Sequence, residues 1–210
     1  TLPLEKVSSY KYLGVTFSDD LTWNTHINTV VSSACKSLGY IKRNLHSTPH
    51  CVKLTAYKSF VRAKLDYANF IWWPHQAYLI NKLESVQNKA SRFISHDYSR
   101  TSSVTALKTN LDLCPLAERT KLARLVMFHK IYYSSSSFRN HYCQPPSHIS
   151  LRRDHSQKIN PLFARTNKFQ NSPLSLAINN WNSLPEAIAL ENNPAKFRDL
   201  CKAHLKSVFR

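Results

Sequence analysis

The chain has 210 residues, with 29 Lys and Arg against 12 Asp and Glu, a formal charge of +17 and a pI near 9.9. A hydrophobic share of 42%, including 4 Trp, 10 Tyr and 10 Phe, argues for a folded chain of one large domain or two small ones. Only 2 glycines exclude every Gly-rich phosphate loop, and the longest greasy stretch, Tyr67 to Pro74, is too short for a membrane span.

Val7 to Phe17 reads as a strand or hairpin: Tyr10, Tyr12, Leu13, Val15 and Phe17 are β-formers, with Gly14 at a bend. Ser18-Asp19-Asp20 is turn chemistry, after which Asn24 or Thr25 can cap a helix. Ile27, Val30, Val31, Ala34, Leu38, Ile41 and Leu45 form its apolar stripe, while Lys36, Lys42 and Arg43 fall on its other faces. Ser47-Thr48-Pro49 predicts a hydroxyl-capped restart, and Val52, Ala56, Tyr57, Phe60, Val61 and Leu65 share a side of the next helix. A third helix over about 76–95 repeats Leu79, Leu83, Val86, Ala90 and Phe93 at the spacing of a bundle core. A short helix near 103–111 follows, then Pro115 and a long helix over 116–133. Ser134–Asn160, with its serine run and Gln144-Pro145-Pro146-Ser147, reads as an exposed loop or linker. Order returns over 161–169, with helices at 173–181 and 194–208 separated by Leu184-Pro185. The expected fold is mainly α: a short N-terminal β-hairpin followed by a helical bundle and a smaller helical C-terminal unit.

Charge is segregated along this pattern. From Leu21 to Leu65 there is no acid, yet Lys36, Lys42, Arg43, Lys53, Lys58, Arg62 and Lys64 are present; Arg119 to Arg153 repeats the arrangement. A polyanion explains such runs, because neutralised phosphates release condensed counterions. Cys35, Cys51 and Cys201 fall on apolar faces of predicted helices, so reduced core thiols and an intracellular protein are expected. His141, Cys143, His148 and His155 cluster in sequence, but no second Cys completes a zinc knuckle. No Gly-x-Ser-x-Gly elbow supports a hydrolase. Trp72-Trp73 and Trp181 suit either base stacking or core packing.

Several blocks occur in a telling order: Tyr12-Leu13-Gly14-Val15; Leu21-Thr22-Trp23-Asn24-Thr25-His26-Ile27; Lys64-Leu65-Asp66-Tyr67-Ala68 with Trp72; Leu83 to Arg92; Leu113-Cys114-Pro115-Leu116 with Arg119; and Trp181-Asn182-Ser183-Leu184-Pro185 with Phe197. Together they resemble the thumb and C-terminal region of non-LTR (LINE-type) retrotransposon reverse transcriptases. The resemblance implies that residues 1–20 end a polymerase palm in a primer-grip-like hairpin. Residues 21–133 would then form a thumb-like bundle, 134–160 a linker and 161–210 a small helical unit.

It implies further that Tyr12, Leu13 and Gly14 approach the primer end, where a side chain at Gly14 would hold the backbone off. An ordinary edge hairpin under the first helix is the other reading, and there Gly14→Val would be tolerated. Lys36, Lys42, Arg43, Lys53, Lys58 and Arg62 would meet the phosphates of an RNA–DNA or DNA primer–template duplex. The family's aromatic-Ala-Asp-Asp turn, which holds two metal ions, does not occur here, and Asp19-Asp20 lies where the family has no ligand. No catalytic residue, metal ligand or cofactor is therefore expected in this chain; Mg2+ and the polymerase portion before Thr1 are expected of a full-length parent, in nucleus and cytoplasm. The alternative is a non-enzymatic helical adaptor, derived from a transposon, that binds an acidic partner.

Overall fold

The structure, a computed structural model, describes residues 6–150 and 154–208. Arg152 and Arg153 of the second basic run lie outside these. The architecture is mainly helical, with an N-terminal two-stranded hairpin, in two compact units, Thr1–Ala117 and Glu118–Arg210. No helix among the described residues is long and apolar enough to cross a membrane.

Unit 1 begins with β1 (Ser9–Tyr12) and β2 (Val15–Ser18), antiparallel, with Tyr12 opposite Val15. That register leaves a two-residue turn, Leu13-Gly14, in which both residues have positive φ, 46° and 84°. Such a turn matches the right-handed twist of the strands and makes glycine the natural second residue. Helix α1 (Asn24–Asn44) buries His26, Ile27, Val31, Ala34, Leu38 and Ile41. Its N-terminus differs from expectation, since no side chain caps it. Asp20 instead accepts from the Thr22 N–H at 2.9 Å, closing a local turn before the helix.

The restart differs likewise: the Thr48 hydroxyl donates back to the Leu45 carbonyl, and α2 (His50–Ala56) starts without a side-chain cap. Helix α2 runs into a π-helical stretch, Tyr57–Arg62, and then α3 (Ala63–Asp66). A wider turn rotates less per residue, so a strict four-residue repeat stays on one face. The buried positions are accordingly Lys53, Tyr57, Val61 and Leu65, while Val52 and Phe60, expected inside, are exposed. Helix α4 (Asn69–Trp72) ends in a fully buried Trp72 whose indole N–H donates to the Tyr67 carbonyl. Helix α5 (Ala77–Ser95) closes the core through Leu79, Leu83, Val86, Ala90, Phe93 and Ile94. Helix α6 (Val104–Asn110) is capped by Ser103. Glu84 then binds Lys108 at 3.4 Å and accepts the Leu116 N–H at the head of α7 (Leu116–Ser134).

Unit 2 takes the rest of α7 with α8 (Ser136–Tyr142), α9 (Asn167–Gln170), α10 (Pro173–Asn182), α11 (Glu186–Ala189) and α12 (Pro194–Val208). Segment 134–160 is not the linker expected, and the units divide ahead of it. Ser135 caps α8, and Cys143, His155 and Ile159 are buried. The Asn182 amide holds both the N–H and the carbonyl of Ile159, and the Trp181 indole N–H donates to the Gln157 carbonyl. Polar composition had suggested exposure, but these polar groups are spent on tying the segment down. Among the cysteines, Cys201 is buried as expected; Cys51 is exposed and Cys35 half-buried, while Cys143 joins the core.

Candidate nucleic-acid interface

The hairpin presents its apolar side chains to solvent. Tyr12 is 59% and Leu13 72% exposed, Tyr10 and Phe17 lie beside them, and only Val15 is buried. What holds it is mostly polar. The Tyr67 hydroxyl donates to the Leu13 carbonyl at 2.8 Å, and the Thr16 N–H donates to His26 Nδ1 at 3.3 Å. Phe17 meets Trp23 edge-on at 5.5 Å. A Cβ on Gly14 would lie 3.5 Å from the Tyr67 ring, an ordinary contact, so space is not what excludes a side chain there. The φ of +84° is, and Gly14→Val is strained even in a hairpin that touches no nucleic acid.

His26 explains its own place in the Leu-x-Trp-x-x-His-Ile block. With Nδ1 accepting, the proton sits on Nε2, which is buried without an oxygen partner, edge-on to the Trp72 ring at 5.1 Å. Burial, and then Lys11, push its pKa below the usual histidine value.

The six basic residues expected at phosphates have different fates. Lys36 and Arg43 are exposed on α1. Lys58 is half-buried, and Arg62 is drawn toward Asp66 at 3.8 Å. Lys42 and Lys53, from α1 and α2, converge on the ring of Phe93 at 5.9 and 5.1 Å from its centre. Lys53 is only 4% exposed, and among the described residues it forms no salt bridge. Burial, followed by the charge of Lys89, pulls the Lys42 pKa down. Lys89 therefore belongs to the same cluster, one the sequence reading did not assemble; it lies one helical turn before Phe93, on the same side of α5. Lys64 is exposed and occupied with Ser33 and Ser37.

The remaining candidates are structural. Trp72 and Trp181 are fully buried, which rules out base stacking by either. Among the described residues no group of three His, Cys, Asp or Glu is placed to hold a metal ion. His155 and Cys143 are core residues, with His155 Nε2 on the Trp181 carbonyl at 3.0 Å and the Cys143 thiol pushed up to about 11 by burial. No family model, no curated protein and no solved structure matches this chain.

Proposed function

We propose that unit 1 grips duplex nucleic acid as the thumb-like part of a LINE-type reverse transcriptase, beside a palm that carries the Mg2+ ligands and the chemistry. The observation that carries this reading is the meeting of Lys42, Lys53 and Lys89 around Phe93 without an acid. Cations gathered at one ring repel one another unless an anion answers them, and among the described residues no salt bridge engages any of the three. A backbone phosphate supplies the missing charge without sequence choice. Exposed Lys36 and Arg43 on α1 extend the basic surface, and the aromatic hairpin supplies flat faces at its tip.

A labelled RNA–DNA hybrid, titrated by fluorescence anisotropy across a salt series, tests this. A steep decline of affinity with salt is expected, with the slope reduced by about one for each of Lys42, Lys53 and Lys89 changed to Gln. A flat salt dependence, or a triple variant that binds like the parent, overturns it. Equal displacement of the duplex by poly-glutamate would support the adaptor reading instead. Magnesium or manganese added to this chain alone is expected to give no primer extension.

A further inference from the structure

Unit 2 contains a cleft of about 460 Å3 lined chiefly by Tyr132, Arg139, Asn140, Cys143, Gln157 and Lys158. Its volume falls in the range of small-ligand sites. Three features distinguish it from a surface dent. The Arg139 guanidinium stands 5.7 Å from the centre of the Tyr132 ring, and among the described residues it has no carboxylate partner. The acid that lines up nearby, Asp154, is already taken by Lys158 at 2.6 Å. The Tyr132 hydroxyl donates to Gln157 Oε1 at 2.8 Å, which fixes the amide and, among the described residues, leaves its NH2 group without a partner.

Arg139 lines the cleft with its guanidinium beside the Tyr132 ring, another lining residue. A planar, permanently charged fork suits a phosphate. An oriented amide such as Gln157, with the Asn140 amide free to adjust beside it, suits the donor–acceptor edge of a base. We infer that this cleft binds a nucleoside 5′-phosphate, with the phosphate on Arg139 and the base edge on Gln157 and Asn140. The occupant is a free nucleotide or an unpaired nucleotide of a strand; the chemistry recognised is the same. This site is separate from the lysine cluster of unit 1 and does not depend on the duplex reading.

The test is calorimetric titration of the 210-residue chain with adenosine 5′-monophosphate, adenosine and inorganic phosphate. The nucleotide should bind more tightly than either of its parts. Arg139→Gln, at an exposed position, should weaken it by about tenfold, the value of one charge-assisted contact. Gln157→Glu keeps the acceptor for Tyr132 but removes the amide donors, and should weaken the nucleotide again at unchanged melting temperature. Lys53→Gln should leave it unaffected. Displacement by a single-stranded oligoadenylate assigns the site to an unpaired nucleotide, and failure to displace assigns it to a free one; either upholds the site. No nucleotide binding at millimolar concentration, an Arg139→Gln protein that binds unchanged, or phosphate alone binding as tightly as the nucleotide overturns it.

Discussion

Around Trp181 the rings of Phe128, Tyr132 and Phe197 close to between 5.2 and 5.9 Å, and every polar atom of the indole and its carbonyl finds a partner within unit 2. On the hairpin of unit 1, Tyr10 and Tyr12 are left in water, and the strands are held to the rest by two hydrogen bonds, the Phe17–Trp23 contact and one buried valine. Both segments are aromatic-rich blocks singled out by their sequence. What separates them is the number of elements that converge: α7, α12 and the 155–159 segment meet on Trp181, whereas most of the hairpin's side chains are exposed. Aromatic content signals burial only where there are enough neighbours to bury it.

This contrast sets the scale of what substitutions do. Trp181→Ala should cost about 3–5 kcal/mol of unit 2 stability, read by chemical denaturation with near-ultraviolet circular dichroism. Duplex binding through unit 1 should survive at denaturant levels below the new transition; equal loss of both would show that the two behaviours are not separable. Gly14→Val comes next. Placing a β-branched residue at φ +84° should cost about 1–2 kcal/mol, paid locally. Hydrogen exchange at the Thr16 and Asp19 amides should accelerate, with the melting of α1 unchanged, while Gly14→Asn, which tolerates that region, should be nearly silent.

Helix periodicity made α1 and α5 legible, because each buries a face of three- and four-residue spacing over many turns, whereas the buried face of α7 includes Thr120, Arg124 and His129. The hairpin was equally plain from Gly14 and its β-formers. Three things were not. The π-helical stretch exchanged Val52 and Phe60 for Lys53 on the buried face, and nothing in the local composition announces a wider turn. Segment 134–160 reads as an exposed loop or linker because of its serine run and Gln144-Pro145-Pro146-Ser147, yet Gln157 and Ile159 find their partners on Trp181 and Asn182, far along the chain. The lysine cluster needed three helices to meet. Individual bases were visible in the sequence; their convergence on Phe93, and the diversion of Arg62 to Asp66, are properties of packing.

The hairpin's polar anchoring gives it a pH dependence of its own. The folded-state pKa of His26 is depressed, so below about 6.5 the unfolded chain takes up a proton that the folded chain refuses. Stability therefore falls as pH drops from there until the folded pKa is crossed, by at most about 1.4 kcal/mol per pH unit for a single proton. Protonated Nδ1 can no longer accept the Thr16 N–H, and the hairpin should loosen first. His26→Gln should flatten this part of the curve, checked by denaturation at pH 5 to 8. An unchanged slope in that variant would remove His26 as the cause.

The smallest stability effect belongs to Lys53, and its sign is what matters. A buried residue that merely packs loses stability when its side chain is changed. An ammonium that shares one ring with a second cation opposes folding, so Lys53→Met, similar in length and apolar, should hold stability or raise it by up to about 1 kcal/mol. The Phe93 ring keeps a contact, now with a thioether in place of a cation. Duplex affinity should move the other way, by about tenfold, because a phosphate at the cluster would lose one of its lysine partners. Melting and anisotropy on one preparation thus give opposite signs if Lys53 is kept for an anion. A fall in both would mean that the ammonium's stem and charge serve the fold of α2, and the phosphate contacts would then pass to exposed Lys36 and Arg43, whose removal weakens binding without touching stability.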